Sequence, residues 1–144
     1  MLVPKKVKFR KWQTGRKNAA KRSRPDSRGT TLAFGSHGLK IENHARITSN
    51  QIEAGRKAMT KSIKKVGKMW IRIFPDRPFT QKPAEVKMGK GKGDVQGYCV
   101  EVRPGRVIYE IDGVDEATAR DALRKAGSKL PGKTRIVSRP STHA

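Results

Sequence analysis

Cysteine is almost missing: Cys99 is the only one in 144 residues. No internal disulfide and no multi-cysteine zinc site can form, which excludes a secreted disulfide scaffold. Acidic residues are scarce too, with 12 Asp and Glu against 34 Lys and Arg, a formal net charge of +22. No apolar run has the length of a membrane-spanning helix. The start, Met1-Leu2-Val3-Pro4-Lys5-Lys6, lacks the apolar stretch of a signal peptide. Aromatics make up 6% and apolar residues 34%; that is lean, yet sufficient for one small core, so wholesale disorder does not fit. The length suits one ordinary domain with a tail. Such a chain repels itself and collects polyanions. A cytoplasmic nucleic-acid binder is the expected class, with no membrane and no small-molecule substrate as partners and no cofactor or metal.

The positive charge is uneven. Residues 1–28 carry eleven Lys and Arg against Asp26 alone, a net +10. Val3, Val7, Phe9 and Trp12 are too few to offset the ordering entropy and repulsion of this segment. Residues 1–29 therefore read as a basic arm that becomes extended on a partner. Lys5, Lys6, Lys8, Arg10, Lys11 and Arg16 are its candidate phosphate contacts, and Phe9 and Trp12 can stack on bases. A merely solubilising tail would share the charge but has no use for the aromatics.

From residue 30 to 138 the pattern is that of a globular domain, followed by a flexible tail at 139–144. Residues 31–34 and 39–41 read as short strands. Thr48 and Gln51 have capping-box spacing at the start of a helix over 48–67. Ile52, Gly55, Met59, Ile63 and Val66 form its apolar face and Gly67 its stop. Residues 69–74 are strand-like, and three prolines hold 75–83 extended. Residues 98–102 and 107–111 read as a hairpin joined by Arg103-Pro104-Gly105-Arg106, with Pro and Gly in type II turn positions. A second helix follows Asp112–Asp115 with the stripe Ala119, Ala122, Leu123, Ala126 and Leu130, and residues 134–138 form a last strand. The expectation is an α+β fold: an antiparallel-rich sheet of five or six strands packed by two helices.

Residues 127–134, Gly-Ser-Lys-Leu-Pro-Gly-Lys-Thr, match the formula of a phosphate-binding loop. That loop works only between a preceding strand and a following helix, whose N-terminus holds the phosphates. Here the expected order is reversed, so the match carries no nucleotide site. Lys87, Met88, Gly89, Lys90, Gly91, Lys92 and Gly93 have different physics. Alternating glycines remove bulk and admit positive φ, and the lysines between them supply point charges. A thin cationic finger of this kind can enter a crowded polyanion; the plain alternative is a disordered surface loop. Lys57, Lys61, Lys64, Lys65 and Lys68 line the helix over 48–67, contiguous with Arg72, and are read as phosphate contacts rather than a solvated face. Trp70 reads as core. His37, His44 and His143 do not have metal-ligand spacing, Glu101 and Glu110 read as ordinary solvent-side charges, and no catalytic set is present.

Two stretches carry a family resemblance. Residues 64–75, Lys-Lys-Val-Gly-Lys-Met-Trp-Ile-Arg-Ile-Phe-Pro, resemble the first signature of the universal L-sixteen family of large-subunit ribosomal proteins, and residues 87–93 resemble the second. Phe9-Arg10-Lys11, Phe34-Gly35-Ser36, Gln51-Ile52-Glu53-Ala54 and Tyr109-Glu110 with Asp112-Gly113-Val114 also fit. Lys87 departs from the arginine usual at its position, and a flat guanidinium fork is lost there. Residues 18–27 look like an insertion. The resemblance implies a structural, non-catalytic protein of the ribosome with a hammerhead-like α/β sandwich. It implies binding to large-subunit rRNA, a role in late subunit assembly, neighbouring ribosomal proteins as partners, and a finger at 87–93 close to A-site and possibly P-site tRNA near the peptidyl-transferase region.

Overall fold

Val107, Tyr109 and Ile111 alternate with Ile108 and Glu110, and all five are buried. A strand covered on both faces must have structure above and below it. The computed structural model, which describes residues 1–13 and 19–140, shows both covers. Its elements are α1 (Ala19–Ser23), β1 (His37–Ile41), β2 (Ala45–Thr48), α2 (Ser49–Ile63), β3 (Lys68–Ile71), β4 (Arg77–Gln81), β5 (Asp94–Val102), β6 (Val107–Asp112), α3 (Glu116–Gly127) and β7 (Thr134–Ser138). One antiparallel sheet has the order β3-β6-β1-β7 and the other β2-β5-β4. The α+β class and its antiparallel pairing are as expected from sequence. Among the described residues no helix is long and apolar enough to cross a membrane.

The two sheets share one bent ribbon. β1 pairs with β6, and β2 pairs with β5. The ladder passes from Lys40↔Val107 to Ala45↔Val102 across the bend. Ile41 bridges the corner: its N–H donates to the Arg106 carbonyl at 3.0 Å and its carbonyl accepts from Gly105 at 2.7 Å. Strands that change sheets at a bend are the usual way to build such a corner. The 103–106 turn therefore forms, with Gly105 at φ +94°, but β5 and β6 are not the hairpin expected from sequence. Glu101 and Glu110 lie in different sheets.

Helices α2 and α3 pack on each other, and α3 lies over β1, β6 and β7. Thr48 caps α2 with both bonds of a capping box: Gln51 N–H to Thr48 Oγ1 at 3.4 Å, and Thr48 N–H to Gln51 Oε1 at 2.9 Å. Ile52, Gly55, Met59 and Ile63 are buried as expected. The helix stops at Ile63 rather than Gly67, with Lys64 in the left-handed region at φ 54°. Val66 is consequently exposed. Gly67 serves close packing, since a Cβ there would lie 2.7 Å from Val114 Cγ1. Tyr109 points from β6 into α2 and donates to the Ile52 carbonyl at 2.8 Å.

The opposite face of β6 is covered by residues 29–36, a strap rather than a strand. Gly29 accepts from Val107 N–H at 2.8 Å and Ser36 donates to Ile111 at 3.1 Å. Leu32 crosses over Gly38, where a Cβ would lie 2.3 Å from Leu32 Cδ2. Strands β2 and β4 were not read as such from sequence, which raises the count to seven, and α1 is a third, short helix. Pro78 is tolerated in β4 because β4 is a sheet edge.

Candidate nucleic-acid interface

Arginine and lysine divide the work. Of the ten ion pairs among the described residues, eight use Arg. The planar guanidinium fork suits fixed pairing with carboxylates. Lys57, Lys61, Lys64, Lys65 and Lys68 are exposed and take part in none of these pairs. The arginines thus brace the fold; of the five lysines only Lys57 and Lys61 lie on α2, while Lys64 and Lys65 follow its end and Lys68 opens β3, so the lysine face expected along one helix is shared by a helix, a turn and a strand. Lys129 extends this surface, and Lys125, paired with Asp121 at 2.9 Å, adjoins it: with Ala58, Lys61, Ser62 and Ser128 they line one groove between α2 and α3, where Lys125 Nζ also reaches Ser62 Oγ at 3.5 Å. Sequence reasoning missed these two, although basic residues at the end of an amphipathic helix were a visible signal.

The arm and the finger meet. Lys5, Lys6, Lys8 and Arg10 are exposed, Lys11 is half-buried, and Leu2 packs on the core. Lys92, at the root of the finger, donates to the Trp12 carbonyl. The Arg77 guanidinium lies 5.4 Å from the Trp12 ring centroid and donates to the Gln13 carbonyl at 2.8 Å. Arg77 also pairs with Glu101 at 3.1 Å, and Arg46 pairs with the same carboxylate. Burial opposes the charge on Glu101, but Arg46 and Arg77 outweigh it and hold its pKa below the ordinary value. At its far end the arm is tied to the sheet corner: Asp26 donates to the Pro104 carbonyl at 2.9 Å, and its carboxylate lies 3.5 Å from both Arg103 and Arg106. Arg16 and His143 lie outside the described residues.

Residues 87–92 of the finger are exposed, and Gly89, Lys90 and Gly91 all have positive φ, at 99°, 61° and 103°. Nothing lies within 4 Å of a Cβ built on Gly89 or Gly91. The loop lies between β4 and β5, and the Lys82 side chain donates to the Gly89 carbonyl.

Arg72 differs from the other candidates. It pairs with Glu110 Oε2, bonds the Thr31 carbonyl at 3.3 Å, and lies 5.3 Å from the Phe34 ring centroid. Glu110 is not the solvent-side charge expected from alternation; it is fully buried under the strap. Its Oε1 accepts the N–H groups of Ala33, Phe34 and Gly35 at 2.9, 3.0 and 3.1 Å. These bonds explain why residues 31–34 form no strand: their donors go to a carboxylate instead of a ladder. Trp70, register partner of Glu110, is half-buried rather than core, because Met69 and Ile71 take the core-facing side of β3. Residues 127–134 do run from helix α3 into strand β7, the reverse of a nucleotide-binding loop.

The family model described as ribosomal protein L16p/L10e matches residues 4–137. The chain is 52% identical over 139 residues to proteins called large ribosomal subunit protein uL16 in three strains of Vibrio cholerae serotype O1: O395, M66-2 and El Tor Inaba N16961. Each alignment covers 96% of this chain and 98% of the relative.

Proposed function

Because the chain belongs to the ribosomal protein L16p/L10e family, a family of structural components of the ribosome, we propose a specific task for each of its basic surfaces within the large subunit. The arm and the lysines at 57–68 neutralise rRNA phosphates and support late subunit assembly. The finger at 87–93 stands beside A-site tRNA near the peptidyl-transferase region. The chemistry there belongs to RNA; this chain positions.

The observation that carries the reading is the finger itself. It combines two open, left-handed glycines with Lys87, Lys90 and Lys92. Such a loop contributes nothing to the core and is built for close approach to a charged backbone. Gly91→Val places a β-branched side chain at φ 103° and adds bulk where RNA would pass. Lys90→Ala removes one screened contact among many. Reconstituted large subunits carrying Gly91→Val should translate more slowly than those carrying Lys90→Ala. Both isolated variants should melt close to the parent protein, since exposed loop changes alter stability by about 0.5 kcal/mol or less. If Gly91→Val both melts and translates like the parent, the finger does not enter a crowded site.

A further inference from the structure

Phe34 is 56% exposed, yet both its backbone and its ring have partners. Its own N–H and those of both neighbours are held by the buried Glu110. Its ring stacks on Trp70 with centroids 5.8 Å apart and planes 20° from parallel. The Arg72 guanidinium lies 5.3 Å from the Phe34 centroid, and Lys68 Nζ lies 5.5 Å from the Trp70 centroid. A cation, two rings and a second cation thus form one row on the strap and β3.

With ring planes about 3.5–4 Å apart, the 5.8 Å separation means a lateral offset of roughly 4–5 Å. Part of each ring face is therefore not covered by the other ring. A fixed aromatic pair, Phe34 exposed and Trp70 half-buried, with the exposed Lys68 beside it suits a planar ring attached to phosphate, because the face takes the ring and the lysine takes the charge, while Arg72 is committed to Glu110. An apolar protein partner would have no use for Lys68. We propose that Phe34 and Trp70 form a stacking platform for an unpaired base of rRNA, with Glu110 as the positioning residue that fixes the strap. The proposal rests on the rRNA-binding role given above. It adds a site on the β3-β6-β1-β7 sheet, whereas the finger leaves the β2-β5-β4 sheet.

The test uses the full-length chain with Trp12→Phe, so that Trp70 is the remaining tryptophan. It is titrated with a short oligoadenylate and with an abasic strand of the same phosphate count. Base stacking contributes about 1–3 kcal/mol, so the adenylate should bind about tenfold more tightly than the abasic strand and quench Trp70. Phe34→Leu, at an exposed position, should leave melting unchanged and remove most of that tenfold preference. Equal binding of both strands without a change in Trp70 emission overturns the platform while leaving phosphate-driven rRNA binding intact. Failure of both strands to bind removes the rRNA reading as well. Photocrosslinking in large subunits free of tRNA identifies the source: a nucleotide on Phe34 or Trp70 supports rRNA, whereas a crosslink to protein, or one that needs added tRNA, overturns the assignment.

Discussion

Replacing Glu110 by Gln changes one atom in a site where four donors converge on one carboxylate. Gln can keep a carbonyl oxygen for the N–H groups of residues 33–35, but it then turns an NH₂ group toward the Arg72 guanidinium. Breaking a buried ion pair costs about 3–5 kcal/mol, and a hydrogen bond to a charged group contributes about 1.5–3. The Arg72 side chain is 19% exposed and can turn to water, so a loss of roughly 3 kcal/mol is expected. For a chain of this length that corresponds to a melting temperature lower by about 10 °C. The pH dependence gives a second signature. Burial opposes the charge on Glu110, but Arg72 and the N–H groups of Gly35 and Phe34 outweigh it and lower its pKa. The folded state therefore binds this proton more weakly than the unfolded state. The carboxylate's contribution is complete above the unfolded value near 4.5 and is lost as the pH falls from there through the folded value. Urea unfolding of the parent and Glu110→Gln proteins should show a large gap at neutral pH that narrows on acidification across that window. Melting of Glu110→Gln within about 1 °C of the parent, or a gap that widens in acid, would refute the role given to this residue.

Gly55→Ala should destabilise although alanine is the better helix former by about 1 kcal/mol. The new Cβ would lie 2.3 Å from Tyr109 Oη and displace its bond to Ile52, for a net loss of about 1–3 kcal/mol read from the denaturation midpoint. Thr48→Val removes the side-chain acceptor of the α2 cap and should cost about 1 kcal/mol in the same assay. Lys61→Ala or Lys64→Ala should leave melting unchanged and flatten the log–log salt dependence of rRNA binding by about one unit; an unchanged slope for every lysine within residues 57–68 would mean that the face is only solvated.

What could be read from sequence was local. The Thr48–Gln51 pair announced the start of α2, the alanine-rich stripe announced α3, and residues 134–138 were placed as a strand with the observed limits. The open character of the finger followed from its glycines. What escaped was set by distant partners. The turn at 103–106 has the same chemistry whether its strands pair with each other or pass into separate sheets, and only β1 and β2 decide which. Tyr109-Glu110-Ile111 alternates like a strand with one wet face, and nothing near Glu110 shows that residues 29–36 cover it. Arg72 was read as a phosphate contact because its partner lies 38 residues away. The meeting of Trp12 with Lys92, 80 residues apart, was equally invisible, though each had been singled out by itself.

The account stands most directly on where the finger goes. A density map of the ribosome that contains this chain, with tRNA in the A site, should show residues 87–93 against tRNA or peptidyl-transferase RNA, with the amides of Gly89 and Gly91 facing phosphate and the lysines at 57–68 on rRNA. A map in which residues 87–93 extend into solvent, away from both RNAs, would contradict it.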